Sequence, residues 1–402
     1  IHKYHKVFKG KSMTDNTLKD VYITGAGVFM PNDPVANDDI EDILGYVAGK
    51  PSRYRKHVLA ANGIKTRHYA RTKEGVQTHL NEELAVGAIK NALDNRGMDL
   101  DNVEMLATAT TVPDVMMPGF GSMVHGRLGG QPMNVLSASG ICSASMAAMQ
   151  AAWLAIRAGQ HSNAVAVGSE LPSVVMKAER FEKESEIDES RDAKTESFKY
   201  FNADFLRWML SDGAGAVVLE NKPRENGLSL KIDWIEFKSY ANQLPACMYL
   251  GTSKTKDLEV GDTYQGFGTF SEAEDEGLFV IRQDTTLLPK GLLQSVIAEA
   301  KNLVEKGKLN ADEVDHFVPH LSSYFFFDKY AEALAEVGFN MPQEKWFTNL
   351  SSKGNTGAAS IYIMLEEGLN SGLFKEGDKI VTMVPESGRF SVSYAHFTCV
   401  KG

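Results

Sequence analysis

Cysteine is scarce: Cys142, Cys247 and Cys399 are the only three in 402 residues. An odd number without metal-type spacing excludes a disulfide frame and a thiolate zinc site, and fits a reducing cytoplasm. Positive charge is also short, with 42 Lys and Arg against 52 Asp and Glu for a formal charge of −10. A nucleic acid or an anionic membrane surface as main partner would need clustered basic residues. An acidic carrier protein can still dock on a local basic patch. Long apolar runs are missing too. The longest follows Cys142 and is too short and too rich in Ala and Ser to cross a bilayer, so a soluble, cytoplasmic protein is expected. No short-period repeat of the solenoid kind is present.

What remains is an ordinary globular composition, 43% apolar, long enough for a large core in two domains or one duplicated unit. Residues 1–12, IHKYHKVFKGKS, are basic and lack a signal peptide's apolar centre, so a leader outside the fold is expected there, with Met13 as the natural start. Strand-like stretches lie at Val21–Phe29, Met105–Thr111, Asn163–Gly168, Leu228–Phe237, His316–Pro319, Lys379–Val384 and Phe390–Val400. Ser211–Glu220 reads as a turn plus a strand, and helical spacing marks Glu82–Asp94, Leu292–Glu305, Tyr324–Val337 and Gly357–Leu369. Two similar runs of strands and helices predict an α/β fold of layered sheets, with halves at 13–222 and 223–402. The charged stretch 178–203 reads as a solvated insertion or lid.

One segment organises the rest. In VLSASGICSASMAAMQAAWLAIRAG, Val135–Gly159, a strand-like start passes through small residues to Cys142 and then into a helix apolar on every side. That pattern places the cysteine at the N-terminus of a buried helix, where free amides and the helix dipole favour a thiolate. Alone, a structural cysteine is the commoner fate. Two later stretches change the balance. In HFVPHLSS, His320 follows a buried strand and emerges at its C-terminal edge, and in NLSSKGNTGAAS, Asn355 sits in a Gly-flanked loop before an apolar helix. Each alone has a duller reading, a satisfied core histidine and a helix cap. Together with Cys142 they supply a nucleophile, an imidazole and an amide, a full set for thioester chemistry. Glu170, after a buried strand, reads equally as an ordering residue for that site or as a cap, and Cys247, Cys399 and His396 read as core.

On these motifs, with SDGAGAVVLE and with Gly388 in PESGRFSVSYA, the chain resembles the 3-oxoacyl-[acyl-carrier-protein] synthase III family of the thiolase fold from Val21 to its C-terminus. The resemblance implies a five-layered αβαβα fold from two similar halves, a homodimer, and substrates carried as coenzyme A or acyl-carrier-protein thioesters. It implies that Cys142 takes the acyl group, that the amides of Cys142 and Gly388 form the oxyanion hole, and that His320 and Asn355 stabilise the enolate of a malonyl-type extender. Claisen attack on acyl-Cys142 then needs no metal and no redox cofactor. Where housekeeping members carry a Trp and an Arg that hold coenzyme A, this chain has His57 and Ala61. The Gln-Ala-Asn after the histidine is replaced by Leu321, Ser322 and Ser323, and a basic carrier-docking residue by Phe325. Met117 is expected to line the acyl tunnel across the dimer interface, and Ser323 and Phe325 to contact substrate. These departures and the 178–203 insertion point to specialised lipid metabolism, and the chain resembles the ketosynthase of dialkylresorcinol-type pathways. Two alternatives stay open: an acyltransferase to oxygen or nitrogen on the same fold, and a cysteine hydrolase with the same Cys, His, Asn order.

Overall fold

The computed structural model describes residues 18–182, 201–255 and 259–402. The expected leader at 1–12 and residues 183–200 of the expected insertion lie outside them. Nine strands form the main sheet: β1 (Tyr22–Phe29), β2 (Met105–Thr110), β3 (Asn134–Ser139), β4 (Asn163–Glu170), β5 (Gly213–Glu220), β6 (Leu228–Ser239), β7 (His316–Pro319), β8 (Lys379–Glu386) and β9 (Ser391–Lys401). Their spatial order is β7-β8-β9-β6-β1-β5-β4-β2-β3. Pairing is parallel for β2 with β3, β2 with β4 and β7 with β8, and antiparallel elsewhere. The centre of this row is thin, since β1 and β6 meet through only two residue pairs, Tyr22 with Lys231 and Ile23 with Leu230. The expected boundary at 222/223 falls in the turn between β5 and β6.

Six helices matter for the layers: α1 (Asn81–Arg96), α2 (Phe120–Leu128), α3 (Ala144–Arg157), α4 (Leu287–Glu305), α5 (Phe327–Glu336) and α6 (Ser360–Asn370). Adjacent strand residues serve different cores because side chains alternate across a sheet. Leu106, Val165 and Val218 join α1 and α2 in one core, whereas Ala107, Ala166 and Val217 join α3 and α6 in a second. On the far strands Val318 and Ile380 face that same central core, and Phe317 and Val381 face α4 and α5 in a third. Helices therefore lie outside, between and outside again, which is the five-layered αβαβα arrangement. Strands buried on both faces read as unbroken apolar runs, which is why they were legible. Close crossing of α1 over β1 depends on Gly27, where a Cβ would lie 2.1 Å from the backbone N of Ala92.

Helix α3 departs from the expectation of burial on every side. Leu154 is 51% exposed, and Ala147, Ala151 and Ala155 on the neighbouring surface are only half-buried. Among the described residues, strand β3 pairs only with β2, and its outer edge is open. The two ends of the 178–203 stretch that are described also differ from a solvated run: Ala178, Phe181 and Ala203 are buried. Among the described residues, no helix is long and apolar enough to cross a membrane.

Candidate active site

Between β3 and α3 the chain makes a tight turn, Gly140 to Ser143, that carries Cys142. The turn is braced from β8: the Glu386 carboxylate accepts from Ile141 N at 3.2 Å and from Ser143 Oγ at 2.7 Å, and Ser143 Oγ lies 2.7 Å from Ser391 Oγ. Gly388 is packed against the same turn, since a Cβ there would stand 2.9 Å from Ile141 Cδ1. Its carbonyl accepts from the amides of Cys247 and Met248.

Cys142 and Asn355 line one narrow, mostly apolar cavity of about 40 Å3. Its apolar walls include Leu171, Val175, Phe205, Leu206, Met209 and Leu288, and Glu170, Ser322, Gln283 and Ser387 add polar atoms. The Asn355 loop is tied to residues 209–211: Asn355 N donates to Met209 O, Ser211 N donates to Asn355 O, and Asn355 Oδ1 accepts from Gly357 N. His320, at the end of β7, is not among the lining residues, although Ser322, two residues on, is. The ring is buried and its Nε2 has no hydrogen-bond partner among the described residues. A buried polar atom left unpaired costs free energy that a substrate oxygen would return.

None of the three expected substrate contacts, Met117, Ser323 and Phe325, is among the residues that line this cavity within the one chain. Met117 is 85% exposed and reaches no wall of its own chain's cavity. Ser323 is spent on a cap: its hydroxyl accepts from Phe325 N and lies 3.4 Å from Ala61 O. Phe325 is 45% exposed, with the Lys329 ammonium 4.8 Å from its ring centroid, so a positive charge stands one helical turn from the position where Phe325 replaces a basic residue. Phe205, Leu206, Met209 and Leu210, just beyond the charged stretch, form cavity wall that the sequence alone does not assign. The apolar sequence Phe205-Leu206-Arg207-Trp208-Met209-Leu210 was the available signal.

The electrostatics oppose one expectation. Burial, then the carboxylates of Glu386 and Glu170, push the Cys142 thiol well above its ordinary range. Burial and these charges therefore oppose the thiolate that the helix start, worth at most about 2 kcal/mol, favours. Burial also holds His320 neutral, with its pKa lowered to about 4. Glu170 is raised to about 8 by burial, against the donors that Thr111 and Ala358 direct at it.

Glu170 gives a pH prediction. Its folded pKa lies above the ordinary 4.5, so the folded protein holds a proton that the unfolded chain has lost between pH 4.5 and about 8. That contribution is complete below about 4.5 and is lost as pH rises through 8. Glu170→Gln, which cannot titrate, is expected to narrow the difference in melting temperature between pH 6 and pH 9. Equal differences in the two proteins by scanning calorimetry would contradict the buried, protonated carboxyl.

Two family descriptions match the chain: Beta-ketoacyl synthase, N-terminal domain, over residues 57–224, and 3-Oxoacyl-[acyl-carrier-protein (ACP)] synthase III C terminal, over residues 304–389. The first span carries Cys142 and Glu170, the second His320, Asn355 and Gly388. The beta-ketoacyl-[acyl-carrier-protein] synthase III of Clostridium perfringens is 23% identical over 368 residues, covering 90% of this chain and 95% of that protein. Among solved structures, the tetronic acid condensing enzyme AbyA1 superposes with a TM-score of 0.69 at 18% identity, covering 95% of this chain and 100% of that one. OleA from Xanthomonas campestris gives 0.69 at 20% identity, covering 98% and 100%. With the thiolase-like layers and the paired matches on either side of the cavity, the chain belongs to the 3-oxoacyl-[acyl-carrier-protein] synthase III family of acyltransferase-type condensing enzymes.

Proposed function

We propose that the chain forms a carbon–carbon bond by Claisen condensation between an acyl group held on Cys142 and a second acyl thioester, in fatty-acid-derived secondary metabolism. The observation that carries this reading is the cavity itself: an apolar chamber with Cys142 and Asn355 on its wall. Cys142 Sγ attacks the donor carbonyl, the thiol proton leaves with the departing thiolate, and the acyl chain lies along Leu206, Met209 and Leu288. Backbone amides of Cys142 and Gly388 hold the oxyanion, each worth about 3 kcal/mol of barrier in comparable acyl-transfer sites. Neutral His320, with its proton on Nε2, and the Asn355 amide donate to the second thioester's oxygen as it becomes an enolate. An imidazole that stays neutral is suited to this, because it polarises the carbonyl without giving up its proton. Donors are thioesters of coenzyme A or an acyl-carrier protein, for which Lys329 over Phe325 offers a positive charge. The working unit is a homodimer closed along the open edge of β3, which brings Met117 to the partner's cavity. A tetronic acid condensing enzyme on the same fold supports a specialised pathway over housekeeping synthesis.

Intact-mass spectrometry after incubation with acyl thioesters tests the first half. A single acyl adduct on Cys142 is expected. Carbon dioxide released on adding a malonyl thioester tests the second half, and discharge onto an alcohol or amine without release would favour the plain acyltransferase. Chain-length choice gives a further prediction. Leu206→Trp fills the chamber, so kcat/KM is expected to fall by roughly 4-fold for each methylene that can no longer be buried, at about 0.8 kcal/mol each. Competition between short and long acyl thioesters reads this as a shift toward the shorter chain, and an unchanged preference would remove Leu206 from the acyl path.

A further inference from the structure

Glu170 is the only carboxylate among the described residues that line the cavity with Cys142. It is placed by two elements far apart in sequence. Thr111, from the loop after β2, gives Oε1 its hydroxyl at 2.7 Å and its amide at 3.1 Å, and Ala358, just before α6, gives Oε1 an amide at 3.2 Å. Oε1 is therefore crowded with donors, whereas among the described residues Oε2 accepts one hydrogen bond, from Thr111 N at 3.2 Å. The carboxyl also rests on the loop that carries Asn355: at Gly357, where φ is +51°, a Cβ would come within 3.0 Å of Glu170 Cγ and 3.2 Å of Cδ. A side chain at 357 would push the acid out of place. The titratable groups facing Glu170 are Cys142 and, from the turn before β5, Asp212.

We infer that Glu170 is a general base for the second substrate, so that the enzyme can condense two plain acyl thioesters with no carboxyl group to lose. The inference rests on the condensing reading above and names its substrate class. In the step, Oε2 removes a proton from the carbon next to the second thioester's carbonyl, and the electrons of the broken C–H bond form the enolate held by His320 and Asn355. The enolate carbon attacks the acyl-Cys142 carbonyl, and the C–S bond to Cys142 breaks. Glu170 then returns its proton to the sulfur, leaving a free thiol and a 3-oxoacyl thioester, so no oxidant or co-reactant is needed. Burial raises the carboxyl to about 8, which makes its ionised form a stronger base than an exposed glutamate.

The test separates this base from acylation by removing the nucleophile. Cys142→Ala protein is incubated with octanoyl-CoA in deuterated water, and deuterium entering the carbon beside the carbonyl is measured by mass spectrometry. Exchange well above buffer, rising with pH to a plateau with its midpoint near 8, is expected. Adding Glu170→Gln should cut it by 100-fold or more, and Glu170→Asp should restore part of it. Glutamine keeps an acceptor for Thr111 and Ala358, so a merely structural role would leave exchange intact, and that result overturns the inference. If the double variant does not fold, the pH profile of Cys142→Ala alone decides: a flat profile, or no exchange above buffer, overturns it. Wild-type protein that forms the Cys142 adduct and releases carbon dioxide from malonyl-CoA while Cys142→Ala shows no exchange would sink this inference alone. Absence of the adduct as well would take the condensing reading with it.

Discussion

Cys142→Ala is expected to abolish the acyl adduct and to lower condensation by on the order of 10^4-fold or more, because a covalent mechanism has no path around its nucleophile. The other two cysteines cannot substitute. Burial pushes the Cys247 and Cys399 thiols up to about 12, and the Cys247 sulfur already accepts from the Gln283 amide at 2.9 Å. Intact-mass spectrometry on the variant reads the result, and an adduct that survives on the alanine protein would end the assignment of Cys142. A gentler measurement addresses the ionisation of the sulfur. Since burial, and then Glu386 against the Cys142 turn, raises the thiol, alkylation of wild-type Cys142 by iodoacetamide should be slower than that of free cysteine at pH 7.5. A rate matching free cysteine would mean that the helix terminus outweighs burial after all.

The parts of this molecule that could be read from the chain are those in which local pattern and global position agree. The buried strand His316–Pro319 has the bounds its apolar run implies, and α1 stops at Gly97, which takes the left-handed conformation with φ of 70°. The Cys142 turn was legible because small residues have to precede a nucleophile set between a strand and a helix. What stayed hidden depends on chain segments converging from a distance. Nothing local distinguishes Ser322, which faces the cavity, from Ser323, which caps the next turn, because beyond the strand's end alternation no longer assigns faces. Glu170 could be read as a cap or as a site residue, and the difference lies in amides from Thr111 and Ala358, 59 and 188 residues away. What raises the Cys142 thiol is hidden for the same reason: the helix start is written locally, whereas burial comes from packing and the Glu386 carboxylate arrives from 245 residues downstream of Ile141.

His320→Ala should separate the two halves of the reaction. If the imidazole donates to the enolate oxygen, its loss removes a transition-state interaction of the condensation step, costing about 10^2 to 10^3-fold in condensation as for the loss of one oxyanion donor. Cys142 acylation, which does not use that donor, should fall far less. An equal loss in both half-reactions would instead make His320 the base that activates the sulfur. The pH dependence distinguishes these roles independently. With burial lowering its pKa to about 4, the ring is neutral across the range from 5 to 8, so no break attributable to it should appear in the decarboxylation profile near the ordinary value of 6.5. Stability carries the same signature with a definite sign. Between about 4 and 6.5 the unfolded chain binds a proton that the folded protein refuses, so this contribution is full above 6.5 and is lost as pH falls toward 4, by about 3 kcal/mol in all. His320→Gln, which has nothing to protonate, should therefore resist acid better than wild type once the two are compared relative to their stabilities at pH 7. Urea titrations at pH 7 and pH 4.5 measure that difference, and parallel acid losses in the two proteins would place the ring in water rather than in the apolar pocket its unpaired nitrogen requires.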